Sequence, residues 1–203
     1  METAAPYQVQ PTHTLRLRDI ARMAHVTRWH TVRTARDQTL AEHLYIVTMI
    51  SHELARRVLG DRLTDQDRLA VYDWALRHDT PEIITGDVPT PTKHQLGKMY
   101  TDQSPLDLLE ESVCRDFTEA KNRVRDTPLK ILVKLADIAE AIVFLNVESV
   151  TDQGRRIQSR LHDQYRLHVQ QAATRWPDHH WDAALAALDE LLHGEETAEL
   201  DWN

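Results

Sequence analysis

The sequence predicts an all-α protein, and three observations point to this class. Only 5 of the 203 residues are glycine, too few for the many tight turns of a β-sandwich or a dinucleotide-binding fold. Apolar residues recur at helical spacing over long stretches, and capping residues precede these stretches. No repeat or low-complexity linker divides the chain. We therefore expect one domain over residues 1–203, a helical bundle whose core spans about 14–193 between a loose lead-in and an acidic tail.

Most of the predicted helices have a start signal, usually a threonine that can accept a hydrogen bond from a free backbone amide. The second start, Thr39-Leu-Ala-Glu42, reads as a capping box. The helix from Pro105 is expected to continue to Arg125, and Gly86 with its following prolines predicts a structured loop that reaches Lys93. The predicted helices begin at Thr14, Thr39, Thr64, Pro105, Thr127, Thr151 and Asp178.

Charge and composition exclude several classes of function. The 24 basic and 32 acidic residues give a net charge of -8, which disfavours a broad surface for DNA or RNA but leaves room for a free nucleotide held by local cations. No apolar run is long enough to cross a membrane. With one cysteine, Cys114, the chain cannot form an internal disulfide, so a reducing cytoplasm is the simplest setting.

His78-Asp79, at the end of the third predicted helix, is the first candidate for chemistry. Imidazole and carboxylate together suit a divalent transition metal. The dipeptide alone is weak evidence, because the chain has 12 histidines and contains a second such pair at His162-Asp163. His43 and Asp137 strengthen it as possible further ligands.

Asp137 lies in the most apolar helix, where a carboxylate is costly to bury unless a cation compensates it. An ordinary ion pair with Lys134, one turn away, would also explain it.

Two further groups could act on a substrate. Glu82 lies one helical turn beyond Asp79, and Asp87 follows Gly86, so both carboxylates could face one cavity and transfer protons. The alternative is that Glu82 favours a helix start and Asp87 caps a turn. Arg28-Trp29 offers a guanidinium for phosphate and a flat wall for a sugar or base, or else a helix-end arginine beside a core tryptophan.

Taken together, these segments resemble the HD-domain phosphohydrolases, and among them the YfbR-like 5′-deoxynucleotidases. The resemblance covers about residues 15–150. Its central run, His78-Asp79-Thr-Pro-Glu82-Ile-Ile-Thr-Gly-Asp87-Val-Pro-Thr-Pro-Thr-Lys93, is far more specific than the dipeptide. The other matching pieces are Arg28-Trp29, Ala41-Glu42-His43 and Val133-Lys134-Leu-Ala-Asp137.

The resemblance implies an HD-domain fold and roles for individual residues. His43, His78, Asp79 and Asp137 would hold one divalent metal, with Co, Mn, Zn, Fe and Ni not distinguishable. Glu82 and Asp87 would serve catalysis. Substrate binding is implied for Arg28, Trp29 and, in a less certain role, Lys93, while Thr31 stands where a bulkier apolar residue is usual and could alter base preference if it faces the base.

The resemblance also implies the reaction. The first expectation is a 5′-deoxynucleotidase that converts a free dNMP to deoxynucleoside and phosphate in the cytoplasm of a bacterium or a phage-infected cell. A related phage branch with the same metal ligands cleaves dNTPs, notably dATP, to deoxynucleoside and triphosphate. A non-catalytic, metal-containing helical module is the second alternative. Apolar faces on the last helices lead us to expect a homo-oligomer, a dimer or larger.

Overall fold

The computed structural model describes residues 15–100 and 104–194, and it confirms the all-α class. Two 3₁₀ turns, Arg22–His25 and Gly60–Arg62, and one short antiparallel pair, β1 (Thr27–Arg28) with β2 (Gln38–Thr39), accompany the helices. The α-helices are α1 Leu17–Ala21, α2 Leu40–Leu59, α3 Asp65–Arg77, α4 Glu82–Thr85, α5 Thr90–Met99, α6 Pro105–Val113, α7 Arg115–Val124, α8 Pro128–Glu148, α9 Asp152–Arg175 and α10 Asp182–His193.

Helix α8 is the centre of the bundle. It packs against α2, α3 and α9. Leu132, Leu135 and Ile142 on α8 are fully buried. A helix that is apolar on nearly every side must be covered on every side, which explains why α8 lies inside the bundle.

The starts of α2 and α3 are as predicted. The Thr39 hydroxyl accepts a hydrogen bond from the Glu42 amide at 3.2 Å. The carboxylate of Glu42 does not return to the Thr39 amide, because Arg36 binds it at 2.7 and 3.0 Å, so this capping box is only half formed. At α3 the box is complete, with Thr64 and Asp67 bonding each other's backbone amides at 3.1 Å.

Several predicted boundaries are wrong. The helix expected from Pro105 to Arg125 is two helices, because buried Cys114 adopts an extended backbone (φ −146°, ψ 117°) between α6 and α7. The loop expected to reach Lys93 ends at Pro89, because α5 begins at Thr90. Pro91 lies in the first turn of α5, a position that proline tolerates. The last helix begins at Asp182 rather than Asp178. The start at Thr14 lies outside the described residues.

The β1–β2 pair was not predicted, and it positions part of the site. Thr27 pairs with Thr39 and Arg28 with Gln38, so the strand that carries Arg28 lies against the residues that lead into α2. This pairing brings Arg28 and Trp29 beside the first turn of the helix that contains His43.

Within the described residues, no helix is both long and apolar enough to span a membrane.

Candidate active site

Three helices bring four of the predicted residues together. His43 lies in the first turn of α2, His78 caps the C-terminus of α3, Asp79 follows it, and Asp137 lies on α8. One ligand atom from each residue lies within 4.8 Å of those of the other three. His43 Nε2 is 3.5 Å from both Asp79 Oδ2 and Asp137 Oδ1, and His78 Nε2 is 3.4 Å from Asp79 Oδ2.

The histidine rings have the orientation that metal ligation requires. His43 Nδ1 lies 2.7 Å from Glu140 Oε2, and His78 Nδ1 lies 2.9 Å from the Ala75 carbonyl oxygen. These acceptors fix the proton on Nδ1 in each neutral ring, which leaves the Nε2 lone pair free. Both Nε2 atoms are buried without a hydrogen-bond partner among the described residues. A divalent cation would satisfy these two nitrogen atoms and the two carboxylates beside them, so the donor set fits a metal.

The charges around this cluster favour a cation. Burial works to raise the pKa of Asp79, but the adjacent histidines and Arg28 hold it well below its usual range. Burial likewise opposes ionisation of Asp137, and Lys134 with the histidines lowers its pKa below the ordinary value. Both carboxylates are therefore anions. Burial and Arg28 work to lower the pKa of His43, yet the nearby carboxylates of Asp79 and Glu140 outweigh them and raise it to about 9, so a metal at Nε2 would displace a proton from this ring.

The ion pair that offered another explanation for Asp137 is present. Lys134 Nζ lies 2.7 Å from Asp137 Oδ2. The other carboxylate oxygen, Oδ1, faces His43 Nε2. The same side chain therefore pairs with lysine through one oxygen and contributes the second oxygen to the four-residue cluster.

Arg28 connects the cluster to Glu82. Its guanidinium NH1 lies 3.0 Å from Asp79 Oδ2 and 3.9 Å from Glu82 Oε2, and the Arg28 side chain is only 11% exposed. Burial and repulsion by Asp79 raise the pKa of Glu82 to about 9, although Arg28 and Lys93 oppose the shift. Glu82 thus holds a proton near neutral pH. It also begins α4, but a helix start does not account for the buried Oε2 atom, which has no hydrogen-bond partner among the described residues.

Lys93 lies on the other side of Glu82. Its Nζ atom is 3.4 Å from Glu82 Oε1 and 3.6 Å from Glu110 Oε1. Burial works against its charge, but Asp79 and these two glutamates outweigh burial and raise the pKa of Lys93. The sequence analysis missed Glu110, which sits in α6 among apolar residues at helical spacing and has no motif around it.

A cavity of about 430 Å³ lies next to the cluster and meets it through Arg28, since none of the four clustered residues lines it. Arg28, Trp29, Thr31 and Asp87 line it, whereas Lys93 is not among its lining residues. Gly86 turns the chain with φ 70° and ψ 169°, and the turn directs Asp87 to the cavity wall, where Asp87 Oδ2 lies 3.7 Å from His30 Nδ1. Glu82 and Asp87 also border a second, more open cleft of about 460 Å³.

A buried chain of hydrogen bonds links the cavity wall to the metal-type cluster, and the sequence analysis missed two of its members. Trp29 Nε1 donates to Gln38 Oε1 at 3.0 Å, Gln38 Nε2 donates to Glu140 Oε1, and Glu140 Oε2 bonds His43 Nδ1. Gln38 and His43 are fully buried and Glu140 is 2% exposed. Trp29 has φ 62°, a conformation uncommon outside glycine, and its ring stacks near Phe144 with centroids 6.1 Å apart.

Comparison with known proteins gives this arrangement a family. The sequence model of the YfbR-like 5′-deoxynucleotidases matches residues 17–154. A dATP triphosphohydrolase of Acinetobacter phage SH-Ab 15497 is 30% identical over 92% of this chain and 96% of its own length. A 5′-deoxynucleotidase of Vibrio cholerae is 31% identical over 58% of this chain and 66% of its own length.

A solved structure shows the same fold. The HD phosphohydrolase DatZ of cyanophage S-2L, described as bound to dA and one catalytic Zn²⁺ ion, superposes with a TM-score of 0.74 at 22% identity. The match covers 89% of this chain and 98% of that protein. With the fold, the clustered histidines and aspartates and the family match in agreement, the chain belongs to the family of YfbR-like 5′-deoxynucleotidases.

Proposed function

We propose that this protein hydrolyses the 5′-phosphate ester of free deoxynucleotides, with one divalent metal held by His43, His78, Asp79 and Asp137. One observation carries the proposal. Two buried histidine nitrogen atoms, without hydrogen-bond partners among the described residues, converge with two anionic carboxylates, and Arg28, which contacts Asp79, lines the cavity beside them. A site that only stabilised the fold would be closed by its ligands, whereas the Asp79 and Asp137 side chains here each remain 18% exposed.

The residues divide the chemistry among them. A divalent metal in this site would supply Lewis acidity, lowering the pKa of a water molecule and neutralising charge on a phosphate oxygen. The Arg28 guanidinium can bind the other phosphate oxygens, and its contact with Asp79 holds it beside the cluster. Glu82, with its pKa raised to about 9, can donate a proton to the departing 5′ oxygen. Asp87, on the cavity wall, can exchange a proton or accept a hydrogen bond from the sugar.

Two substrates fit this chemistry, because both reactions break the same bond. Hydrolysis between the α-phosphorus and the 5′ oxygen releases the deoxynucleoside, with orthophosphate from a dNMP and triphosphate from a dNTP. The family match supports the dNMP as the first candidate. The triphosphate is the second candidate, since the phage dATP triphosphohydrolase is similar over nearly the whole chain and the V. cholerae 5′-deoxynucleotidase over 58% of it.

The native metal and the sugar preference belong to the same proposal. Two imidazoles and two carboxylates accept several divalent transition metals, and availability decides among Co, Mn, Zn, Fe and Ni. We propose that Trp29 packs against the deoxyribose and disfavours a ribose 2′-hydroxyl. In support, the ring of Trp29 lines the cavity two residues from Thr31, and its conformation is held by a hydrogen bond to Gln38.

One experiment tests the proposal and separates the candidates. Purified protein is incubated with Mn²⁺ or Co²⁺ and each dNMP, dNTP and NTP, and the products are separated by ion-exchange chromatography. We expect deoxynucleoside together with orthophosphate or triphosphate, and at most slow turnover of ribonucleotides. Protein that binds the metal but releases no product from any nucleotide would instead be a metal-containing binding module.

A further inference from the structure

The cavity has a wall that lies almost wholly beyond the family match. That match ends at residue 154, yet α9 continues to Arg175, and its side chains line the cavity together with Trp29 and Thr31. Gln153, Ile157, Arg160 and Gln164 all line it, at successive spacings of four, three and four residues. This spacing places them on one side of a helix, so α9 presents a continuous stripe to the cavity.

The polar groups on this stripe are available to a ligand. The side chains of Gln153, Arg160 and Gln164 are exposed, and none has a hydrogen bond or ion pair within the part of the chain that the structure describes. Two other polar side chains of α9 are engaged away from the cavity: Arg155 pairs with Asp152 at 2.5 Å, and Gln158 donates to Asn146 at 3.1 Å. The polar groups of α9 that line the cavity without a partner among the described residues are those of Gln153, Arg160 and Gln164.

The orientation of a bound nucleotide follows from the two ends of the cavity. Arg28 lies beside Asp79 and marks the phosphate end. Apolar side chains and a tryptophan also line the cavity, which suits a sugar and the faces of a base; these are Trp29, Val32, Pro89, Ile157 and Leu161. A nucleotide whose phosphate contacts Arg28 would therefore extend its base toward the polar edge of the α9 stripe.

We propose that the α9 stripe is the base-binding wall and that Arg160 on it favours guanine. An arginine has five donors and no acceptor, so it pairs with base edges that present acceptors. Guanine offers two adjacent acceptors, O6 and N7, which match the guanidinium fork, whereas adenine places an amino donor at the corresponding position. The glutamine amides both donate and accept, and they adapt to either base. This inference rests on the proposed function for the direction in which the substrate lies.

Two measurements test it on the full chain. The first is kcat/KM for the guanine and adenine deoxynucleotides, at whichever phosphate length the wild type cleaves, and for 2-deoxyribose 5-phosphate, which lacks a base. The second is the affinity for deoxyguanosine and deoxyadenosine by calorimetry, which needs no turnover. We expect Arg160→Leu to lower both guanine-to-adenine ratios about tenfold, within the range of one bidentate base contact, and to leave 2-deoxyribose 5-phosphate unchanged within twofold.

Arg166→Leu is the matched control, because Arg166 is an exposed arginine of α9 that does not line the cavity. It should leave both ratios at the wild-type value. If Arg160→Leu still hydrolyses deoxynucleotides but both of its guanine-to-adenine ratios stay within twofold of wild type, the inference of a base-binding wall is overturned. A third outcome separates the two proposals. If the wild type hydrolyses no nucleotide but binds deoxyguanosine more tightly than deoxyadenosine, and Arg160→Leu loses that difference, the base-binding wall is supported and the proposed function is refuted.

Discussion

His43 is held from both sides. Its Nε2 atom faces the two aspartates, and its Nδ1 atom bonds Glu140, which Gln38 connects to the indole of Trp29. A carboxylate bonded to the far nitrogen of a ligand histidine fixes the ring and raises its basicity. The same hydrogen-bond chain holds Trp29 in its positive-φ conformation at the cavity wall. The same buried hydrogen bonds therefore position both the metal-ligand candidate His43 and the cavity residue Trp29.

Replacing Glu140 by glutamine should weaken metal binding about 10- to 100-fold, because the amide cannot supply the negative charge that supports His43. Calorimetric titration of the purified protein with Co²⁺ measures this loss directly. Glu148→Gln is a control on the same helix, since Glu148 pairs with exposed Arg36 instead. Equal Co²⁺ affinity in wild type and Glu140→Gln would show that His43 needs no such support.

Replacing Glu82 by glutamine should lower kcat about 10²- to 10⁴-fold and leave metal affinity nearly unchanged. Glutamine keeps the size of the side chain, but it lacks the acidic proton that Glu82 holds near neutral pH because its pKa is raised. Steady-state kinetics with the preferred deoxynucleotide provide the measurement. Glu110→Gln, which alters the other carboxylate beside Lys93, should retain most of the activity. Near wild-type kcat in Glu82→Gln would remove Glu82 from the chemistry.

Sequence reasoning identified Asp137 but not Glu140, although one argument applies to both. Each is a carboxylate in the apolar helix α8, and they are three residues apart on the same side of it. The cost of burying a carboxylate and the family motif both point to Asp137, whereas the motif does not include Glu140. Gln38 gave no signal at all. Its importance comes from the β1–β2 pairing and from contacts 102 residues away in sequence, which local patterns do not encode.

At the scale of elements, the turn between α4 and α5 shapes the site. Gly86 combines φ 70° with ψ 169°, a region open almost only to glycine, and a Cβ atom there would meet nothing within 4 Å. The demand for glycine is therefore conformational rather than steric. This turn separates Glu82 at the start of α4 from Asp87 at the cavity wall.

Gly86→Ala should destabilise the fold by about 1–3 kcal/mol, the usual cost of such a conformation for a residue with a side chain. Urea denaturation followed by circular dichroism gives the value. Gly97→Ala is the matched control. Gly97 lies in α5 with open space around its Cβ position and no positive φ, so alanine should stabilise that helix by about 0.5–1 kcal/mol. Equal effects of the two substitutions would contradict the conformational explanation for Gly86.

Helix starts were more predictable than helix ends and breaks. Thr39, Thr64 and Thr151 cap helices as expected, because N-terminal capping is a local interaction. Thr127 also precedes a helix, but it makes no capping hydrogen bond, because its hydroxyl donates to the Val124 carbonyl oxygen instead. The break at Cys114 has no glycine or proline to announce it. The break lets apolar residues of both helices reach the core, since Val113 of α6 and Phe117 of α7 are buried on either side of it. Pro89 and Pro91 suggested a loop, yet one proline precedes α5 and the other lies in its first turn.

For the whole molecule, buried charge is concentrated at the site. Asp79 and Asp137 are anions that both lie 3.5 Å from His43 Nε2, with Arg28 and Lys134 as the cations beside them. Bringing these carboxylates together costs free energy that a bound dication would offset. Binding at this site should therefore stabilise the folded state as a whole.

Saturating Mn²⁺ or Co²⁺, at about 100 times its dissociation constant, should add about 2.7 kcal/mol to the free energy of unfolding. For a chain of this size that corresponds to a rise of roughly 5–10 °C in Tm, measurable by differential scanning fluorimetry. A chelator should reverse the rise, and His78→Ala should show little of it. A metal-dependent shift of equal size in His78→Ala would place the cation elsewhere on the protein.

The most direct test of the central claim is a calorimetric titration of wild type and Asp79→Ala with Co²⁺, with deoxynucleoside release assayed on the same samples. Asp79 is the residue to change because it contacts His43, His78 and Arg28 alike. We predict one metal ion per wild-type chain and hydrolysis of a deoxynucleotide. Asp79→Ala should lose both. An Asp79→Ala protein that binds one ion with unchanged affinity, or that keeps full turnover, would contradict the account.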